Sequence, residues 1–160
     1  MSDLPAEDDI LPPKGEGRPD PVAVGRALGP GLGLNLLVAD MARAARWQAA
    51  VLGAEVVYRD ADFAIVTLHG SVWMLHNDRA YGRHPMAGIA RAGGAARGAG
   101  AELRAYGCDP DAAAAAADAF APALGGGVVA PAADKPHGLR EAYLADPDGY
   151  VWVPSVPTRD

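Results

Sequence analysis

A tight turn that leads into a strand is predicted by residues 146–152, which read Asp146-Pro147-Asp148-Gly149-Tyr150-Val151-Trp152. Proline and glycine supply the backbone dihedrals that such a turn needs. The β-branched and aromatic residues after the turn favour a strand over 150–153. A strand is also predicted over 140–145, so the turn is expected to join two strands.

Residues 101–156 are predicted to fold as a β-α-β-β-β module. Asp109 or Asp111 can supply the side-chain oxygen that caps a helix N-terminus, and Pro122 together with Gly125-Gly126-Gly127 is expected to end that helix. The predicted elements are strands at 102–108, 128–130, 140–145 and 150–153 and a helix at 112–121.

The same order of elements is predicted for residues 30–78. Asp40 can accept a backbone N–H from the first helical turn, and Gly53 is suited to end that helix. The two capping positions, Asp40 and Asp109, lie about 70 residues apart, so the chain contains an internal repeat. The predicted elements are strands at 34–38, 55–59, 63–68 and 71–76 and a helix at 41–52.

The repeat predicts an α+β fold in which two β-α-β-β-β modules form a curved mixed sheet around a concave cavity, with the helices outside. The two modules are expected to make one structural domain, joined by a connector over 79–100 that is rich in Gly, Ala and Arg. Residues 1–29 are acidic and proline-rich and are predicted to be a flexible tail. A concave, partly apolar face is a typical ligand site.

Composition excludes several classes of function. The net charge is −6, with 14 basic and 20 acidic residues, whereas sequence-independent nucleic-acid binding needs a positive surface. The chain has no apolar run of about eighteen residues, so neither a transmembrane helix nor membrane binding is predicted. Its acidic N-terminus lacks the pattern of a secretory signal, and Cys108 is the only cysteine. These features predict a cytoplasmic protein.

Three features together resemble the vicinal oxygen chelate superfamily, which includes glyoxalase I, bleomycin-resistance and fosfomycin-resistance proteins and extradiol dioxygenases. They are the strand end Val38-Ala39-Asp40, the helix with Trp47-Gln48 and Leu52-Gly53, and the closing stretch 146–152. The resemblance covers about residues 33–155 and implies the fold predicted above. It implies less about activity, because this fold hosts many activities.

The enzymes of that superfamily hold a divalent metal with His, Gln and Glu side chains from four strand positions, and the metal acts as a Lewis acid. In this sequence the four positions correspond to Gly33, Trp73, Glu102 and Val153. Only Glu102 can bind a metal, and catalytic metal sites usually need three protein ligands. The resemblance therefore implies no metal and no other cofactor here.

The sequence is then most similar to the bleomycin-resistance-like branch, whose members are domain-swapped homodimers. They trap a bulky cationic drug, without metal, in grooves at the dimer interface. The resemblance thus implies metal-independent small-molecule binding, or sequestration of an antibiotic-resistance type, in a dimer-interface cavity. The expected partners are a second copy of the chain and an unidentified cationic or aromatic small molecule.

Side chains alternate between the two faces of a strand, so the four positions also predict which side chains face the cavity. Aromatic residues there would stack on a ligand, and Glu102 and Glu141 would attract a cationic group. Arg104 could instead neutralise these glutamates in a structural ion-pair network. The candidate ligand-binding residues are Trp73, Glu102, Arg104, Tyr106, Glu141 and Tyr143, with His137 over the cavity mouth.

Two other function classes stay open from the sequence. An enzyme could be a metal-dependent lyase or dioxygenase with an atypical ligand set, or an isomerase that uses Glu102 or Glu141 as general base. A protein–protein interaction module would have a filled cavity. Cys108 has no activating basic neighbour in sequence, and no serine lies in an elbow motif, so no catalytic residue is predicted.

Overall fold

The computed structural model of the chain describes residues 3–84 and 97–159. Two short helices, α1 (Glu7–Ile10) and α2 (Pro21–Ala27), precede the first module. None of the helices in the described part is long and apolar enough to cross a membrane. The first module consists of β1 (Asn35–Val38), α3 (Met41–Leu52), β2 (Glu55–Arg59), β3 (Phe63–Leu68) and β4 (Ser71–Asn77), followed by a 3₁₀ turn at Asp78–Tyr81.

The second module repeats the order of the first. In each module four strands form a sheet in which the first and last strands pair in parallel and the other pairs are antiparallel. The sheet orders are β1-β4-β3-β2 and β5-β8-β7-β6. The elements are β5 (Glu102–Tyr106), α4 (Pro110–Leu124), β6 (Gly127–Asp134), β7 (Leu139–Ala145) and β8 (Val151–Pro157).

This architecture confirms the predicted α+β class and the two β-α-β-β-β modules, which form two four-stranded sheets. The caps behave as expected: the Asp40 side chain accepts a hydrogen bond from the Arg43 N–H at 3.0 Å, and Gly53 ends α3 with a φ of 67°. The predicted end of α4 at about residue 121 is three residues short, although the glycine stretch at 125–127 was expected to help end it. The helix continues to Leu124 and ends at Gly125, because a proline in the last turn does not remove the bond that closes it.

Large apolar side chains are concentrated between the helices and the sheets. Trp152 lies 6.4 Å from Trp47 and 5.4 Å from Trp73, measured between ring centroids. Leu36 and Leu75, which are register partners on β1 and β4, are buried in the same core. The buried residues of α3 and α4 include only four alanines, Ala44, Ala45, Ala113 and Ala117, so the larger side chains supply much of the buried area.

The turn at 146–149 joins β7 to β8 and also contacts the first module. The Asp146 carboxylate accepts hydrogen bonds from Asp148 N at 2.9 Å, Tyr150 N at 3.0 Å and Trp152 Nε1 at 3.0 Å. Asp148 in turn accepts the Ala39 N–H at 2.8 Å, at the end of β1. The turn that the sequence indicated therefore positions the first module against the second.

The N-terminal segment is more structured than its composition indicated. Leu11 is buried in the core, and the Arg59 Nε–H donates to the Pro12 carbonyl at 2.7 Å. Arg59 also pairs with Glu7, and Arg46 donates to the Pro5 carbonyl at 2.8 Å. The flexibility of residues 1–29 stays a prediction, but the acidic, proline-rich composition did not indicate that Leu11 reaches the core.

The predicted connector 79–100 includes residues 85–96, which lie outside the described residues. On its far side, Arg97 forms a bidentate ion pair with Asp78, both bonds measuring 2.6 Å. Arg97 also donates to the Leu37 carbonyl at 3.1 Å. The two ends of the connector are thus held together beside β1.

Candidate functional site

The face of the second sheet that is turned away from the core has a cluster of polar and aromatic side chains. On β5, Leu103 and Ala105 pack toward the core, so Glu102, Arg104 and Tyr106 point to the opposite side. The predicted facing of β5 is therefore correct. Six of the seven candidate residues meet on this face, and we call them the Glu141 cluster: Glu102, Arg104, Tyr106, His137, Glu141 and Tyr143.

Glu141 lies at the centre of this cluster and its side chain is fully buried. Its carboxylate is paired with Arg104, contacts His137 Nε2 at 3.0 Å and accepts a hydrogen bond from the Tyr143 hydroxyl at 3.3 Å. Arg104 reaches Glu141 across β8, whose residue Ser155 is buried beside them. The neighbouring side chains therefore shield the Glu141 carboxylate from solvent.

Arg104 binds three cluster members at once. Besides Glu141, its Nη1 donates to Glu102 at 3.0 Å and its Nε donates to the Tyr106 hydroxyl at 3.2 Å. Its guanidinium also lies 5.7 Å from the centre of the Tyr106 ring. Arg104 thus balances one of the two glutamate charges. A second cationic group lies nearby, because Lys135 Nζ is 5.4 Å from the centre of the Tyr143 ring.

The electrostatics of the cluster keep Glu141 ionised. Burial raises the pKa of Glu141, but the hydrogen bond from His137 and the charge of Arg104 outweigh burial and leave the pKa below its ordinary value. Burial lowers the pKa of Arg104, and its bonds to Tyr106 and Glu102 with the charge of Glu141 more than reverse this. A carboxylate with a lowered pKa is a weak base, which disfavours Glu141 as a general base.

The predicted facing of β4 is wrong by one residue. Trp73 and Leu75 point toward the core instead of the open face, where Met74 and His76 lie. Both faces of this strand carry apolar residues, so alternation could not decide between them. The reason for the observed choice is that Leu75 pairs with Leu36 and Trp73 packs on Trp152 in the core.

Trp73 nevertheless contributes to a groove beside the Glu141 cluster. The groove has a volume of about 460 Å³ and runs between β5 and the start of β4. Three apolar side chains that line it are strongly exposed: Leu32 fully, Tyr106 to 60% and Val72 to 58%. The Trp73 Nε1–H is buried without a hydrogen-bond partner. The other lining residues are Leu34, Leu68, His69, Ser71, Glu102, Leu103, Arg104, Ala105 and Trp152.

The contributions of Leu32 and Leu34 to this groove were not predicted from the sequence. Leu32 lies in the glycine-rich stretch Gly29-Pro30-Gly31-Leu32-Gly33, where an apolar residue outside any predicted helix or strand is itself a signal, whereas Leu34 begins the predicted strand at 34–38. Leu68 ends β3 and His69 lies in the turn that follows it, and their approach to β5 depends on how the modules pack.

The four positions of the superfamily's metal do not assemble donors in this chain. Gly33 and Trp73 supply no ligand, Val153 is buried, and Glu102 is engaged with Arg104. Across residues 3–84 and 97–159, no group of three or more His, Cys, Asp or Glu side chains is arranged to hold a metal ion. The residues present do not fit the divalent metal that the superfamily's enzymes use.

Comparison with protein families gives a match over residues 32–153 to the model of the Glyoxalase/Bleomycin resistance protein/Dioxygenase superfamily. The chain belongs to this superfamily. The match covers both modules and the turn at 146–149, so the resemblance inferred from the sequence is confirmed. No curated protein matches the chain.

Solved structures show the same fold. A glyoxalase-related enzyme from Fulvimarina pelagi is similar with a TM-score of 0.60 and 22% identity, covering 81% of this chain and 88% of that one. A glyoxalase/bleomycin resistance protein/dioxygenase family enzyme from Burkholderia phytofirmans PsJN gives 0.57 and 17%, covering 78% and 96%. At these identities the likeness concerns the fold alone.

Cys108 is expected to be unreactive in the folded protein. Its thiol is buried and donates to the Leu52 carbonyl at 3.3 Å, and burial, with a smaller effect of Asp109, raises its pKa to about 11. We expect the folded chain to react with a disulfide reagent at pH 8 about a hundredfold more slowly than the denatured chain. Stopped-flow absorbance measures both rates, and comparable rates would contradict the burial.

Proposed function

We propose that this protein binds an aromatic small molecule, without a metal, in the groove between β5 and the start of β4. The observation that carries the proposal is the concentration of exposed apolar side chains in one groove, beside an arginine that lies over an exposed tyrosine. Soluble proteins seldom leave such side chains exposed together unless something covers them. The groove also falls within the size range of small-molecule sites.

The ligand chemistry follows from the groove's walls. Tyr106 offers a ring face, and Leu32 and Val72 offer apolar surface on which a flat molecule can lie. Arg104 has five N–H groups and donates three within the cluster, so further groups can bind a ligand oxygen. We therefore infer an aromatic ligand with an oxygen acceptor, in preference to the cationic ligand that the sequence also suggested.

Binding is favoured over catalysis by the state of the two glutamates. Glu141 is ionised, shielded and already bonded to Arg104 and Tyr143, so it has little capacity to take a proton from a substrate. Glu102 is the one metal-position residue with a suitable side chain, and it is paired with Arg104. The alternative is a metal-dependent lyase or dioxygenase, which predicts that metal copurifies with the protein.

We also propose that the protein is a homodimer whose second copy closes the groove. A second copy lying over the groove would cover its exposed apolar side chains, which are those of Leu32, Val72 and Tyr106. Light scattering coupled to size-exclusion chromatography measures the mass. We expect the wild type to have the mass of a dimer and a Leu32→Asp variant to shift toward the mass of a monomer. A wild type with the mass of a single chain would reject the dimer.

The binding proposal is tested by calorimetric titration of the full chain with 1-naphthoate and with the matched cation 1-naphthylmethylammonium. We expect 1-naphthoate to bind, and Tyr106→Ala to weaken that binding about tenfold, because stacking area is lost. Val129→Ala is the control, since Val129 is equally exposed but outside the groove. Chelation of divalent ions should leave binding unchanged.

Two results would reject parts of this proposal. Equal binding by the Tyr106→Ala and Val129→Ala variants would show that the groove is not the site, and stronger binding of the cation would reverse the inferred ligand chemistry. If about one equivalent of metal copurifies and chelation abolishes binding, the metal-independent reading fails and the enzyme alternative leads.

A further inference from the structure

A second cavity, of about 530 Å³, lies between α2 and the first sheet. Its floor is the face of that sheet turned away from α3. There Phe63 is the register partner of His76, and Ile65 is the partner of Met74. Val24 on α2 lines the opposite wall. The cavity shares no lining residue with the groove beside Tyr106.

The helix over this cavity lies on the sheet without packing closely against it. No residue of α2 is buried, and Leu28 just after it is 68% exposed although it lines the cavity. Asp20 caps the start of the helix, and Arg18, whose side chain is exposed, reaches the largely buried Asp60 carboxylate at 3.7 Å. An apolar helix above an apolar sheet normally closes to native packing density. The space left here is therefore large enough to hold another molecule.

The lining of the cavity indicates what kind of molecule fits. The rings of Phe63 and His76 are stacked, with centroids 6.0 Å apart and planes 24° from parallel. Burial lowers the pKa of His76, and His84 acts in the same direction against a smaller opposing effect of Asp60, so the ring is neutral near pH 7. Met74 and Ile65 add apolar surface beside these rings.

The cavity lining includes one positively charged residue, Arg18, and one negatively charged residue, Asp62. They give the cavity no net preference for an anion or a cation. A polarisable thioether next to two rings favours an aromatic guest, because sulfur contacts and ring stacking both stabilise it.

We propose that this cavity is a binding site for a neutral, largely apolar small molecule that carries an aromatic ring. The molecule would lie between the Phe63–His76 stack and α2, with Val24 against its opposite side. Its volume is within the range that drug-sized ligands occupy. The N-terminal segment, whose composition predicts a flexible tail, would then form one wall of a site.

The test uses N-phenyl-1-naphthylamine, a neutral aromatic fluorophore whose emission rises in apolar surroundings. We expect one saturable site on the full wild-type chain, and a loss of affinity of about tenfold or more in Val24→Asp, because the carboxylate would be placed against the bound ring. Val22→Asp is the matched control. Val22 belongs to the same helix and is 54% exposed, but it does not line the cavity.

Thermal melting first establishes that both variants fold as the wild type does, which we expect because α2 contributes no buried residue. Tyr106→Ala should bind the fluorophore normally, so failure of the groove proposal and failure of this one are distinguishable. Three results would overturn the inference: no saturable binding by the wild type, equal affinities of the Val24→Asp and Val22→Asp variants, or a loss confined to Tyr106→Ala.

Discussion

Asp146→Ala is expected to lower the free energy of unfolding by about 4 kcal/mol near pH 4.5, because three hydrogen-bond donors lose their acceptor. These donors are the N–H groups of Asp148 and Tyr150 and the indole of Trp152. The same turn holds the end of β1 through Asp148, so its loss also loosens the contact between the modules. Urea denaturation monitored by tryptophan fluorescence measures the change.

The effect of this substitution should decrease as the pH rises. Burial raises the pKa of Asp146 to about 6, from an ordinary value of 3.8. The folded state therefore holds this proton more tightly than the unfolded state, and the stability it contributes is lost as the pH rises through about 6. Between about pH 4.5 and about pH 7.5 the free energy of unfolding of the wild type should fall by about 2 kcal/mol relative to that of Asp146→Ala.

Asp146→Asn provides the control for charge. The amide oxygen can still accept from Asp148 N and Tyr150 N, but the side chain no longer ionises, so the pH dependence due to this position should disappear. Asp148, whose pKa burial also raises, is present in every variant and cancels in the comparison. A wild type that parallels Asp146→Asn at all pH values would contradict the raised pKa.

Arg104→Met is expected to lower the free energy of unfolding by about 2 kcal/mol, because it leaves the Glu141 carboxylate without its cationic partner. The cost is smaller than for a pair deep in the core. His137 and Tyr143 still bond to Glu141, and His137 is exposed enough for water to enter beside it. Denaturation at neutral pH measures the difference.

The double variant Arg104→Met/Glu141→Gln is the matched test of this pair. Removing the buried charge together with its partner should recover most of the lost stability, since the penalty arises from an unpaired carboxylate. If Arg104→Met alone is as stable as the wild type, Glu141 is solvated in solution. It would then be available to a ligand or a substrate, and the general-base alternative would regain support.

Much of the fold could be predicted because its signals are local. Asp40 and Gly53 delimit α3 at the predicted residues, and β2 and β3 have the predicted bounds. A capping carboxylate or a left-handed glycine acts on backbone groups within a few residues, so its effect does not depend on the rest of the chain. The end of β8 was missed because Pro154 interrupts the strand pattern, although the strand continues to Pro157.

In the candidate site, too, local sequence determined some side-chain directions and distant contacts determined others. On β5 the order Glu102-Leu103-Arg104-Ala105-Tyr106 alternates polar or amphipathic residues with apolar ones, so the sequence alone determined which side chains face away from the core. On β4 the order Val72-Trp73-Met74-Leu75 is apolar on both faces, and alternation carries no information there. Only the tertiary structure decided that face, because the contacts of Trp73 and Leu75 come from β8 and β1. The ordering of residues 3–28 was decided in the same way, since the groups that receive Leu11 and bind Pro12 lie far along the chain.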